Sequence, residues 1–179
     1  MVMTLPKMIL RLKQASLVLA VMAMVIPVLA VPVLVIPVKS AVARDYIMRD
    51  HIVLDLRFGV EWLRCSVGQV WDGKPCSGEI EELNHEEIEK AIVLANEQLG
   101  GNWRLPTLEE LEALVCMTCQ GVKIDRKAFP NTDKSPYWTS EVNALAPRHV
   151  WSVNFFTGHS YARFFPNQQL AVRLVRDRR

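Results

Sequence analysis

All 19 acidic residues of this 179-residue chain lie beyond Ala43, while the first 43 residues carry four basic side chains and are otherwise mostly Val, Leu, Ala, Met and Ile. That boundary constrains the fold more than any other feature, because a segment with no polar face cannot share a solvated surface with the charged remainder. Setting those four aside from the 21 Lys and Arg of the chain leaves 17 against 19 acids, so residues 44–179 have a formal charge of −2 although the whole chain is +2. The basic pI of 8.4 therefore belongs to the leader. The body has no bulk positive charge with which to hold nucleic acid.

Lys7, Arg11 and Lys13 precede an uncharged stretch from Gln14 to Val38, and Ala41, Val42 and Ala43 follow in an A-x-A arrangement. This is the layout of a signal peptide. The stretch of 25 residues is long enough to cross a bilayer, which keeps an uncleaved N-terminal membrane anchor open, with membrane contact through residues 14–38. Pro27, Pro32 and Pro37 oppose a regular helix through its second half. Both readings put residues 44–179, one domain by length, outside the cytoplasm: periplasmic, secreted or at the cell surface.

Cysteine usage agrees with export. Cys65, Cys76, Cys116 and Cys119 form an even set that allows three connectivities. Local pairing is favoured, since Cys65 and Cys76 bracket a loop with Gly68, Gly73 and Pro75, and Cys116 and Cys119 are three apart. A zinc site built on four thiolates is the competitor, but only the second pair has C-x-x-C spacing and an oxidising compartment consumes thiols.

Within the body, Ile52, Leu54 and Leu56 alternate, Phe58 and Gly59 turn the chain, and Val60, Trp62 and Leu63 resume an apolar pattern, which predicts a hairpin over 51–64. Asn84 and Glu87 form a capping-box signature, and Ile88, Ala91, Ile92, Ala95 and Leu99 recur at helical spacing up to Gly100. Thr107 and Glu110 repeat the signature for a short second helix ending near the Cys116 pair. Residues 119–136 read as a long irregular loop pinned by Phe129 and Pro130. Strands are expected at 150–155, 160–165 and 171–175, with Trp62, Trp103, Trp138 and Trp151 anchoring the core and Arg173 and Arg176 solvated or paired with carboxylates. Arg104, just before the second helix, is expected on carbonyls of a neighbouring strand. Strands at both ends around two central helices make an α+β domain whose N- and C-terminal strands lie near each other.

Four words then occur in order: Trp103 to Leu111 (WRLPTLEEL), Ala128 to Thr132 (AFPNT), Tyr137 to Ser140 (YWTS) and Val172 to Arg176 (VRLVR). With Gly59 to Cys65 (GVEWLRC), Gly68, Gln69 and Trp71, they resemble the domain of unknown function 1566 family, also called the Lcl C-terminal domain, across residues 50–177. The resemblance implies a C-type-lectin-like fold with short antiparallel sheets, related to the formylglycine-generating-enzyme group. It also implies an exported bacterial protein of a family in which some members are implicated in adhesion or carbohydrate binding and most have no assigned activity.

Chemistry is thinly marked. The Cys116 pair follows its helix and so sits at the negative end of the dipole, which does not activate a thiol. No Cys follows Cys119 to serve formylglycine-type oxidation, and Phe-Pro-Asn at 129–131 and 165–167 lacks the carboxylate that a lectin calcium site needs. His51, His85, His149 and His159 are dispersed, although His149 and His159 are free to meet across the last hairpin. No catalytic residue, metal or cofactor is assigned. The expected ligand surface is Trp71 in the Cys65–Cys76 loop for stacking on a sugar, with Asn143, Arg148, His149, His159, Tyr161, Arg163, Asn167 and Gln168 on the late loops. The sequence thus points to an exported, non-catalytic, lectin-like module that contacts glycans or proteins of the envelope or of a host surface. An envelope enzyme of the same fold group, or a structural or assembly factor of the envelope, is the alternative.

Overall fold

The computed structural model describes residues 46–178, so the leader at 1–43 lies outside the described residues. Over them the α+β expectation holds, with two helices among short antiparallel sheets. Strands β1 (Tyr46–Arg49), β2 (Ile52–Asp55) and β3 (Val60–Leu63) run up and down, and β9 (Val175–Asp177) adds to β3. The register sets Val53 opposite Trp62 and Trp62 opposite Val175, and all three are fully buried. This row on one sheet face is the cross-strand packing that stabilises a sheet. The two terminal strands thus share one sheet, at its opposite edges.

A two-stranded ribbon, β4 (Val70–Trp71) with β5 (Cys76–Ser77), sits in the Cys65–Cys76 loop. Helix α1 (His85–Leu99) starts where the capping box predicts: Asn84 Oδ1 accepts from Glu87 N at 3.0 Å, and Glu87 Oε2 accepts from Asn84 N at 2.9 Å. Helix α2 (Leu108–Glu112) repeats this with Thr107 and Glu110. Strands β6 (Pro136–Val142), β7 (Val150–Asn154) and β8 (His159–Phe164) form the third sheet in that order. Residues 119–135 are irregular, with Ile124, Ala128 and Phe129 buried.

The core has two clusters, and successive side chains of extended segments divide between them. Tyr137 enters the first and Trp138 the second; Ala171 and Val175 join the first, while Leu170, Val172 and Leu174 join the second. The expected strand at 171–175 therefore keeps its alternation but not its ladder. Its backbone bonds go to several elements in turn: Ala171 O accepts from Trp138 N, Val172 O from Val67 N, and Leu174 O from Leu63 N. Pairing in a sheet begins only at Val175. Strand β6 is not among the expected strands, because Tyr137 and Trp138 face opposite cores and leave no polar alternation to read, and neither is β1, whose Ile47 and Met48 are exposed and so mark no buried face.

Three side-chain expectations need correction. Arg173 is neither solvated nor paired with a carboxylate: it is fully buried, and donates to the carbonyls of Leu63 and Arg64 and to Ser66 Oγ and Thr132 Oγ1, with its guanidinium 4.9 Å from the Phe129 ring. Arg104 reaches mainly carboxylates, forking onto Glu110 at 2.8 and 2.9 Å and meeting Asp177 at 2.6 Å, while its backbone pairs with Val175. Trp151 is only half-buried, whereas Trp62, Trp103 and Trp138 are core residues. Arg176 does pair with Glu61, at 2.7 Å.

Candidate functional site

The two cysteine pairs are joined as Cys65–Cys76 and Cys116–Cys119, and no described cysteine is free. The first bond holds the loop that carries Trp71 against the body. Gly68 in this loop has φ +90°, and a Cβ there would lie 2.5 Å from Glu81 N, so backbone passes backbone where only glycine fits. Gln69 closes a turn on Ser66 and reaches Asn131 O, while Asn131 Nδ2 donates back to Cys76 O. The loop is thus tied at its start, middle and end.

Trp71 itself is fixed by two polar neighbours. Its indole N–H donates to Asp50 Oδ1 at 2.8 Å, and the Arg64 guanidinium lies 3.9 Å from the ring centroid. Arg64 is in turn held by the carbonyls of Asp50, Lys127 and Ala128. Hydrogen bonds from His51 first, then from Trp71, hold the Asp50 carboxyl below its ordinary range. The result is a rigid aromatic plate with a carboxylate on its edge.

This plate lines a cleft of about 510 Å³ between the loop and α1, a volume ordinary for a ligand pocket. Ala91, Leu94, Ala95, Gln98 and Leu99 form the helix wall, Leu63, Val67, Val70 and Leu174 supply the remaining apolar surface, and Asp50, His51, Ser66, Gln69 and Glu81 bring polar atoms. Leu63 also packs on the second core cluster, so the cleft shares a rigid wall with it. A second cavity of about 400 Å³, at Glu61, Gly101, Asn102, Arg176, Asp177 and Arg178, has most of its lining charges in ion pairs, Arg176 with Glu61 and Asp177 with Arg104.

Of the residues expected to form a ligand surface, only Trp71 lines this cleft. Asn143 orders its own loop, bonding Ala162 O and Leu145 N. His149 leans on Phe165 at 4.5 Å, and Gln168 Oε1 caps Phe165 N. Tyr161 bonds Thr157, and Arg163 stacks on Tyr161 at 4.8 Å. Arg148, His159 and Asn167 are exposed. His149 and His159 do not meet: His159 pairs opposite Asn154 and His149 precedes Val150, which pairs with Phe164, so they sit at opposite ends of the β7–β8 hairpin. Among the described residues no group of three His, Cys, Asp or Glu is placed to hold a metal ion.

A family model described as the Lcl C-terminal domain matches residues 51–176. The chain belongs to that family. No curated protein and no solved structure matches it. The matched stretch of the Lcl C-terminal domain contains both disulfides, both helices and all of the Trp71 cleft except Asp50, which stands one residue before it. Sequence reasoning missed the partners of Trp71 in the cleft: Asp50, Gln69, Glu81 and the Leu94 side of α1. The available signal was the width of the apolar stripe on α1, where Val93, Leu94 and Leu99 exceed what the core buries.

Proposed function

We propose that this Lcl C-terminal domain is a non-catalytic, lectin-like binding module of an oxidising, extracytoplasmic compartment, and that it meets a glycan or a protein of the envelope or of a host surface at the Trp71 cleft. One observation carries the reading: Trp71 is bonded by Asp50 and stacked against Arg64, within the Cys65–Cys76 loop, on the wall of a 510 Å³ cleft. A pre-ordered aromatic loses little conformational entropy when a ligand lands on it. The two disulfides support the compartment. Among the described residues no helix is long and apolar enough to cross a membrane.

The test is binding of the purified full-length chain to glycan and peptide arrays, with Trp71→Ala and Arg163→Ala beside the wild type. Loss of about tenfold in affinity on Trp71→Ala alone is the expected result. Loss on Arg163→Ala alone would move the contact area to the late loops, where Arg163 stacks on Tyr161.

A further inference from the structure

We infer that the occupant of the Trp71 cleft is a polypeptide segment presenting an aliphatic side chain beside a Lys or Arg, a conclusion that rests on the cleft being the ligand site. The lining is the first reason. Leu63, Val67 and Leu174 belong to the cleft wall, and Val70, Leu94 and Leu99 remain 67 %, 52 % and 44 % exposed around it. A sugar brings hydroxyls on every edge, and those that face Leu63, Val67, Val70, Leu94, Leu99 or Leu174 find no side-chain hydrogen-bond partner there, a net cost for each one desolvated. A Leu, Ile or Val side chain meets the same walls favourably, because both surfaces leave water.

Charge is the second reason. From Glu79 to Glu97 the chain has seven glutamates and a single lysine. Glu81 lines the cleft, is exposed, and makes no ion pair among the described residues. Asp50, also in the lining, is a second carboxylate, which His51 and Trp71 already bond. Arg64, nearby, keeps its positive charge, but its guanidinium is directed to three carbonyls and the Trp71 ring and makes no ion pair with Glu81. An apolar trough beside the unpaired Glu81 is complementary to an apolar segment flanked by positive charge.

An array of random decapeptides probed with the purified full-length chain, beside a glycan array, tests this. Retained peptides should be enriched in Leu, Ile, Val or Met next to Lys or Arg. Glu81→Lys and Leu94→Ser, both exposed substitutions, should each weaken a retained peptide by about tenfold while leaving the unfolding midpoint in place. Retention without that enrichment, or retention indifferent to both substitutions, overturns the inference. Glycan retention lost on Trp71→Ala, with no peptide retained, overturns the occupant but leaves the cleft standing as the ligand site. Silence on both arrays, or self-association abolished by Leu94→Ser, overturns both readings.

Discussion

Arg173 is a fully buried cation that joins separate segments of the chain. Its guanidinium ties the end of β3 to Ser66 at the cleft and to Thr132 in the long loop, and among the described residues it makes no ion pair with a carboxylate. Burial lowers its pKa, with Tyr137 opposing, yet a guanidinium keeps its proton in this setting. The two terminal nitrogens of its fork reach carbonyls and hydroxyls that an ammonium cannot reach together, while Nε is buried with no hydrogen-bond partner among the described residues. Arg173→Lys and Arg173→Met should therefore both destabilise the fold by about 3 kcal/mol, because each strands several buried acceptors; urea unfolding measures it, and full rescue by Lys would sink the account. Nothing local in the VRLVR word separates buried Arg173 from ion-paired Arg176. Their difference lies in which cluster each extended residue faces, and that is decided by Phe129 and Tyr137, far off in sequence.

At the scale of elements, the helices begin where short-range chemistry says they must. Each capping box satisfies backbone donors that a helix start leaves open, so Asn84→Ala should cost about 1 kcal/mol, seen as a lower urea midpoint with an unchanged slope. Glu110 does double duty, capping α2 and receiving the Arg104 fork, so Glu110→Gln should cost about 2 kcal/mol. His85 begins α1 with its ring 4.8 Å from Trp138 and with Nε2 buried and, among the described residues, without a hydrogen-bond partner. Burial lowers its pKa, with Glu89 opposing. The unfolded chain therefore takes up this proton first, and the associated stability is present above the ordinary histidine value of about 6.5 and is lost as pH falls below it. Urea midpoints should drop from about pH 7.5 to about pH 5.5, and His85→Gln should flatten that slope; an equal slope in the variant would remove His85 as the cause.

For the whole molecule, the two disulfides differ in what they hold. Cys65–Cys76 spans 11 positions and sits where Cys65 lines the cleft and Cys76 pairs opposite Trp71. Its removal as Cys65→Ala/Cys76→Ala should cost about 3 kcal/mol by loop entropy and also weaken ligand binding. Cys116–Cys119 spans three positions on the side of the first cluster; its double alanine variant should cost about 2 kcal/mol and leave binding unchanged. Equal effects of the two on binding would show that the Cys65–Cys76 bond does not pre-order the cleft.

The chain by itself specified whatever depends on neighbours a few residues apart: both capping boxes, the β2–β3 hairpin, the local cysteine pairs and the ordered words of the Lcl C-terminal domain. Those features rest on hydrogen bonds and loop closures within about one or two turns of backbone, and so they leave a local pattern. The burial of Arg173, the threading of 170–174 between sheets, the separation of His149 from His159 and the union of Trp71 with Asp50, Glu81 and Leu94 left none. Each joins groups through packing across tens of residues, where side-chain direction depends on register and on which of two cores a face meets. A one-residue change in register would reverse every such assignment, and no short window of sequence records that choice.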